Sequence, residues 1–228
     1  MSVHLRPSSP LAPDVLLPGD PARAMGLAQL LLTEPRMHNL HRGLWGYSGV
    51  TERGRDLSIQ STGMGAPSAA IVFHELAALG VRRAIRVGTC GALDPGLELG
   101  ELLRVEAALA EDGLSRTLGA SGPLAPNPEL LARLSDAGSG RPVTAVSTDF
   151  FYEPSPEPRR GWIEAGAAAV EMESAALFML GPSLGIATAS LLVVTDVDRE
   201  GERRRIEDGT LAVAVEAMGR AAAAALHD

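Results

Sequence analysis

The chain has 228 residues, of which 46% are hydrophobic and 21% are charged. This length and composition are typical of one α/β domain with a sizeable core, or of two small domains, and they exclude disorder as the main state. The 28 acidic and 20 basic residues give a net charge of −8, which argues against a nucleic-acid-binding surface.

Short apolar runs alternate with stretches of helical periodicity along the chain. The pattern predicts, in order, a strand at 15–17, a helix at 21–32, strands at 44–50 and 57–61, a helix at 67–79, strands at 84–87 and 102–108, a helix at 128–137, strands at 143–146 and 167–170, a helix at 174–180, a strand at 186–195 and a helix at 209–226. Pro182 is expected to end or kink the helix before it. Residues 120–127 and 153–160 are predicted to be Pro-rich loops, too short to link domains. This alternation indicates a single α/β domain over residues 1–228.

Several classes of site and location are excluded by residue types or by their pattern. Cys90 is the single cysteine, so an internal disulfide and a cysteine-based zinc site are both excluded. All 20 basic residues are arginine, which excludes Schiff-base lysine chemistry and leaves phosphate binding to arginine and backbone N–H groups. No apolar run approaches the ~20 residues of a membrane span. The N-terminus lacks the pattern of a signal peptide, so we expect a cytoplasmic protein without a membrane partner.

Two clusters in the first half of the chain indicate an anion site. Gly19 lies at a strand-to-helix junction with Arg23 in the first turn, where backbone N–H groups and a guanidinium can bind an anion; the alternative is an ordinary tight turn. Arg86 lies in a buried strand, three residues before Thr89, and a buried arginine needs an anion or a carboxylate beside it. We favour the anion over a structural ion pair. Cys90 is interpreted as a small buried filler rather than a nucleophile.

The second half supplies carboxylates. Glu171 and Glu173 point to one side where a strand gives way to a helix, and a carboxylate there can bind a sugar diol; helix capping is the alternative. Asp196 follows the longest apolar strand and is placed for general acid–base work. The basic run at 203–205 is interpreted as a solvated face from which one arginine could pair with Asp196. The aromatic run at 150–152 is either a stacking wall or a plug of the core. Together these clusters suggest nucleoside chemistry with phosphate.

Five motifs in register resemble the nucleoside phosphorylase family, which includes bacterial hexameric purine nucleoside phosphorylases and uridine phosphorylases. They are Pro18-Gly19-Asp20-Pro21-x-Arg23, His41-Arg42-Gly43, Ser61-Thr62-Gly63-Met64-Gly65, Arg86-Val87-Gly88-Thr89-Cys90-Gly91 and Glu171-Met172-Glu173. The resemblance runs from about residue 4 to residue 196. It implies a single-domain, three-layer α/β/α fold with a central mixed β-sheet.

The resemblance also implies a role for each matching residue. Phosphate would be bound by Gly19, Arg23, Arg42, Arg86 and Thr89, ribose by His4, Met172 and Glu173, and the base by Cys90, Gly91, Phe151, Glu171 and Asp196. In the family, the residues that match Arg42 and His4 reach the site of a neighbouring subunit. The resemblance therefore implies a homo-oligomer with shared sites, commonly a hexamer built as a trimer of dimers.

The choice of base depends on two places in the chain. Thr195-Asp196 resembles the pair in the purine enzymes whose Asp protonates the purine N7, and no Gln-x-Arg follows Phe151-Tyr152 as it does in uridine phosphorylases. Both features favour purine. The sequence after Asp196 departs from the family pattern, and Arg204 is our hypothesis for the arginine that assists this aspartate.

The sequence therefore predicts reversible phosphorolysis of purine (deoxy)ribonucleosides to free base and (deoxy)ribose 1-phosphate, with Asp196 and Arg204 as catalytic residues. Inorganic phosphate is expected as the co-substrate, with no metal and no organic cofactor. Three alternatives stay open: a uridine phosphorylase, a nucleosidase of the same fold that uses water, and a non-catalytic purine-binding protein.

Overall fold

The computed structural model describes residues 2–152, 155–199 and 201–227. Within these residues the chain forms ten strands, seven α-helices and one short 3-10 turn at His41–Gly43. In chain order the elements are β1 (Asp14–Leu17), α1 (Pro21–Leu31), β2 (Leu32–Asn39), β3 (Gly46–Thr51), β4 (Asp56–Gln60), α2 (Ala66–Ala78), β5 (Arg83–Ala92), β6 (Leu102–Glu111), α3 (Gly113–Thr117), α4 (Pro128–Asp136), β7 (Arg141–Thr148), α5 (Glu157–Glu164), β8 (Ala169–Glu171), α6 (Ser174–Leu184), β9 (Ala187–Arg199), β10 (Glu202–Arg205) and α7 (Asp208–His227).

The strands form one mixed sheet in the order β10-β9-β6-β7-β8-β5-β1-β4-β3-β2. β5, β1 and β4 run parallel, and β9 lies parallel to β5 while pairing antiparallel with β6. Because β9 pairs with both β6 and β5, the five strands β9, β6, β7, β8 and β5 form a closed ring within the sheet. The predicted α/β fold with a central mixed sheet is confirmed.

Helices cover the sheet through separate apolar clusters. Leu27 of α1 and Met218 of α7 belong to one cluster with the buried residues of β1, β4, β5 and β9. Phe73 of α2 and Leu177 of α6 belong to another, which also takes in residues of β1. Among the described residues, α7 is long and apolar enough to cross a membrane, judged by length and mean hydropathy alone. Its packing against α1, β5 and β9 is that of a core helix.

Every predicted helix and strand is present, with ends shifted by a few residues. The predicted end of the helix at Pro182 is wrong, because α6 continues through this residue to Leu184 and ends at Gly185, whose φ is +66°; the predicted kink stays a prediction. The predicted loop at 153–160 is also partly wrong, since α5 begins at Glu157 with a proline in its first turn. Residues 153 and 154 of that loop lie outside the described residues.

Candidate active site

A cavity of about 250 Å³ opens at the carboxyl ends of β1, β5 and β9. Open α/β sheets commonly bind ligands at this edge. The lining includes most of the residues that the sequence singled out: Gly19, Arg23, Arg86, Thr89, Cys90, Gly91, Phe151, Glu171, Met172, Glu173 and Asp196. His4, Arg42 and Arg204 are the predicted site residues that do not line it.

Arg86 lies at one end of the cavity with only 4% of its side chain exposed. Its Nε donates to Glu171 Oε2 at 2.9 Å, and its Nη2 lies 2.5 Å from Glu173 Oε2. Burial alone would lower the pKa of Arg86, but the carboxylates of Glu173 and Glu171 outweigh burial and raise the pKa. Of the two interpretations left open by the sequence, the structure shows the ion pair. Anion binding by Arg86 stays a prediction.

Glu171 is held by several donors at once. Its carboxylate accepts from Arg86, from the backbone N–H groups of Glu173 and Ser174 at 3.0 Å, and from the hydroxyl of Ser147. Glu171 therefore caps the start of α6, which is the alternative that the sequence left open for this pair of glutamates. Its predicted contact with a base is not tested by this arrangement.

Glu173 is buried and faces the cavity. Its Oε1 accepts from the backbone N–H of Gly65 at 2.5 Å, and its Oε2 takes the ion pair with Arg86. Burial raises the pKa of this carboxyl, although Arg86 opposes the change. Gly65 has a φ of +84°, a conformation that favours glycine, at the start of α2. Met172 lines the cavity beside these groups.

Arg23 approaches the same end of the cavity from α1. Asp20 caps this helix by accepting from the Arg23 backbone N–H at 2.7 Å, which leaves the Arg23 side chain in the first turn. Burial lowers the pKa of Arg23, and the positive charge of Arg86 lowers it further. The guanidinium of Arg86, which is buried, and that of Arg23, which is half-buried, thus face the same space, beside Gly19 and Thr89. Such a pair of like charges favours an anion between them.

Asp196 lies at the far end of the cavity with 8% of its surface exposed. Its Oδ2 accepts from the Thr195 hydroxyl at 2.8 Å, and its Oδ1 accepts from Arg203 Nε at 3.2 Å. Arg205 Nη1 lies 3.9 Å from the same oxygen. The choice of Arg204 as the assisting arginine is therefore wrong in this structure. Strand alternation places residues 203 and 205 of β10 on the side of Asp196, whereas Arg204 pairs with Val197 and points away.

The aromatic run at 150–152 borders the same end of the cavity. Phe150 and Phe151 are 59% and 50% exposed, so they are not a plug of the core. The Phe151 ring meets Tyr152 edge to face with 5.1 Å between ring centroids. On its other contact, the guanidinium carbon of Arg203 lies 5.1 Å from the centre of the Phe151 ring. Arg203 thus connects the aromatic run to Asp196.

His4 and Arg42 do not line the cavity. The His4 Nδ1 bonds to Glu75 Oε1 at 2.8 Å, and the Nδ1 of His41 bonds to the His4 carbonyl at 3.1 Å. Arg42 is exposed, with a left-handed φ of +57°. Neither side chain lines the cavity of its own chain, and their predicted roles in a neighbour's site are not tested within one chain.

Sequence reasoning overlooked several cavity residues. Met64 is 84% exposed and lines the cavity, although its motif was part of the resemblance. Arg203 lay within a basic run that is usually only a solvated face, and Thr148, Arg159 and Asp198 gave no signal of their own. Among the described residues, no group of three or more His, Cys, Asp and Glu side chains is placed to hold a metal ion.

The chain is similar to known proteins in both sequence and fold. A family model described as Phosphorylase superfamily matches residues 13–227. The DeoD-type purine nucleoside phosphorylase of Caldanaerobacter subterraneus subsp. tengcongensis is 34% identical over 217 residues, or 91% of this chain and 93% of that protein. The DeoD-type enzyme of Clostridium novyi is 34% identical over 211 residues, or 89% and 90%. The crystal structure of purine nucleoside phosphorylase from Toxoplasma gondii in complex with immucillin-H matches with a TM-score of 0.88 and 26% identity, over 99% of this chain and 95% of that one.

Proposed function

Because the chain belongs to the Phosphorylase superfamily, we propose that it catalyses the reversible phosphorolysis of purine nucleosides, releasing the base and a pentose 1-phosphate. The resemblance found in its motifs is confirmed by the family match and by relatives that are 34% identical. Those relatives are named purine nucleoside phosphorylases, which favours the purine reaction over the uridine alternative. Reaction with water is disfavoured by the two arginines that face the cavity beside Gly19.

The observation that carries the proposal is the joining of three chemistries in one cavity: two guanidiniums, a buried pair of glutamates and an aspartate in contact with an arginine. Arg23 and Arg86, with Gly19 and Thr89, would hold phosphate beneath the anomeric carbon and so lower the entropic barrier to attack. Glu173 would fix the ribose through its hydroxyls. The phosphate dianion would then stabilise the positive charge that develops on the sugar ring.

Asp196 would protonate N7 of the purine as the glycosidic bond breaks. The proton converts the departing base from an anion to a neutral leaving group. Arg203 lies 3.2 Å from the Asp196 carboxylate and would stabilise the negative charge that remains on it after proton transfer. In this proposal Arg203 takes the role that the sequence gave to Arg204. Phosphate is the co-substrate, and no metal or organic cofactor takes part.

The proposal includes an oligomer with shared sites. At the anion end, Arg23 and Arg86 lie among the carboxylates of Asp20, Glu171 and Glu173, so the two cations of one chain are already more than matched by negative charge. A phosphate dianion would therefore bind better with a further cation, and an exposed Arg42 from a second copy would supply it. A dimer unit, assembled into a hexamer as in the family, fits this requirement. We further propose a cytoplasmic location and a role in purine salvage.

The first experiment measures base release from inosine, guanosine, adenosine and uridine, with and without inorganic phosphate. Phosphate-dependent release from a purine nucleoside is the expected result, and it would also identify the preferred base. Release at the same rate without phosphate would indicate a nucleosidase. Release from uridine alone would contradict the role of Asp196, and purine binding without any release would indicate a binding protein.

A further inference from the structure

The ion pair between Arg86 and Glu173 occupies both residues that the proposed reaction needs at the sugar. Glu173 Oε2 lies 2.5 Å from Arg86 Nη2, and Glu173 Oε1 accepts from the Gly65 backbone N–H at 2.5 Å. Both carboxylate oxygens therefore have a donor already, in a position where only 5% of the residue is exposed. In the proposed reaction phosphate binds Arg86 and the ribose hydroxyls bind Glu173, so each ligand competes with this ion pair for one of its two members.

The two glutamates hold Arg86 in different ways. Glu171 receives donors from the start of α6 and from Ser147 in addition to Arg86, so its carboxylate is fixed from several directions. Glu173 accepts from the backbone N–H groups of Gly65 and Met172 and from Arg86, and it holds neither the start of α6 nor a buried hydroxyl. Displacing Glu171 would leave the helix start and a serine hydroxyl without their acceptor, which is the costlier change. Glu173 is therefore the partner that can exchange.

We propose that phosphate displaces Glu173 from Arg86 while Glu171 keeps the guanidinium in place, so that phosphate binding frees the carboxylate that holds the ribose. Glu171 is then a positioning residue, and the ion pair couples the two substrates. The proposal rests on the proposed function, because it assumes that phosphate and a nucleoside are the ligands of this cavity.

The chemistry of the exchange follows from the charges. A phosphate oxygen between Arg23 and Arg86 would accept from Arg86 Nη2 in place of Glu173 Oε2. The released carboxylate remains buried, where an unpaired charge is costly, and the hydroxyls of a ribose are the donors that would satisfy it. Each ligand therefore improves the site for the other. Linkage requires the effect to be equal in both directions, and typical couplings change affinity by about 5- to 150-fold.

Calorimetric titration tests this coupling with C-nucleoside analogues of inosine and adenosine, whose carbon–carbon glycosidic bond cannot be cleaved. We expect saturating inorganic phosphate to tighten binding of the analogue to the wild-type protein by at least about 5-fold. In Glu173→Gln, which has no ion pair to open, phosphate alone should bind more tightly than to the wild type, and the coupling should disappear. The control Asp196→Asn removes a carboxylate from the same cavity without touching Arg86, and it should keep the coupling.

Two results would overturn the inference: equal affinity of the wild type for the analogue with and without phosphate, or wild-type coupling in Glu173→Gln. The wild-type comparison decides the question even where the variant does not fold, which thermal unfolding would reveal. The base-release experiment distinguishes the two levels of the proposal. Phosphate-dependent release with independent binding of the ligands contradicts the exchange alone, whereas absence of phosphate-dependent release contradicts the proposed function.

Discussion

Asp196 is the carboxylate of the cavity that is placed to move a proton. It is nearly buried, and its two oxygens accept from Thr195 and Arg203. Asp196→Asn keeps the shape of the side chain but removes the acidic proton of the carboxyl group, so we expect kcat to fall by about 10²–10⁴-fold while KM changes little. Steady-state release of the purine base measures both constants. Turnover of the variant near the wild-type rate would contradict the role of Asp196 as the acid.

Arg203 is predicted to support Asp196 through one charged hydrogen bond and through its contact with the Phe151 ring. Because Arg203 is half exposed, solvent weakens both interactions, and we expect Arg203→Ala to lower kcat/KM by roughly 10-fold. The matched control is Arg204→Ala, which removes the same side chain from the opposite side of β10 and should leave kcat/KM near the wild-type value. Equal losses in the two variants would show that net charge, rather than the contact, is responsible.

This pair of arginines shows where sequence reasoning stops at the scale of residues. Residue types and order pointed to Asp196, Arg86 and Glu173, and all three side chains line the cavity. The choice among three consecutive arginines depends on the register of β10 against β9, which places Arg205 opposite Asp196. A one-residue change in register exchanges the two faces of a strand, and nothing in the basic run itself fixes that register.

At the scale of elements, the sequence predicted what the hydrophobic period encodes. The strand at Ala187–Arg199 and the helix at Asp208–His227 have long, clear periods and were found with small errors at their ends. β2 was missed because five of its eight residues are exposed and one of these is a proline, so the segment lacks the apolar pattern of a strand. Its strand conformation depends on pairing with β3. α5 was missed because two prolines precede it in the sequence and a third is its second residue, a composition that predicts a loop.

Two glycines inside helices, Gly181 and Gly26, differ in the space beside them, and replacing each by alanine should change stability in opposite directions. A Cβ at Gly181 of α6 would lie 2.8 Å from the backbone oxygen of Ile186 and 3.1 Å from the Thr188 hydroxyl oxygen. Because the Ile186 oxygen belongs to the backbone, it cannot move away by a change of side-chain rotamer. Gly181→Ala should therefore lower the free energy of unfolding by about 1–3 kcal/mol. A Cβ at Gly26 of α1 would have no atom within 4 Å. Gly26→Ala should therefore raise the free energy of unfolding by about 0.5–1 kcal/mol. Urea unfolding measures both, and a stabilised Gly181→Ala would contradict the close approach.

Glu75 attaches the N-terminal segment to α2. Its carboxylate accepts from the backbone N–H groups of Val3, His4 and Leu5 and bonds to the His4 ring. Burial opposes ionisation, but these donors outweigh it and lower the pKa of Glu75 to about 2. A lowered carboxyl pKa stabilises the fold above its ordinary value of 4.5, and this contribution is lost as the pH falls toward 2.

We therefore expect Glu75→Gln to lower the free energy of unfolding by about 1–3 kcal/mol at pH 7, and by progressively less as the pH is reduced below 4.5. Urea unfolding at a series of pH values measures the difference between variant and wild type. The control Glu129→Gln changes an exposed ion pair with Arg133 and should cost less than about 1 kcal/mol. A difference for Glu75→Gln that is constant from pH 7 to pH 3 would contradict the account.

At the scale of the whole molecule, the fold separates the proposed site into two parts. The cavity holds Arg86, Glu173 and Asp196, whereas Arg42 and His4 are outside its lining, in a surface region where His41, next to Arg42 in the chain, bonds to the His4 carbonyl. Glu75 and the bond between His41 and His4 fix that surface in position. Because carboxylates already surround the arginines of the cavity, the proposed oligomer assigns Arg42 to phosphate binding in another copy of the chain.

Complementation between two impaired variants tests whether sites are shared. In a mixed dimer of Arg42→Ala and Asp196→Asn subunits, one site combines an intact Asp196 with an intact Arg42 from its neighbour, while the other site lacks both. Random assortment makes half of the dimers mixed, so co-expression should restore about a quarter of wild-type activity, although both pure variants are impaired. Activity that equals the average of the two separate preparations would mean that Arg42 serves no site but its own chain's. Separate preparations mixed without subunit exchange provide the control, because they contain the same side chains in the same amounts and differ only in which copies face one another.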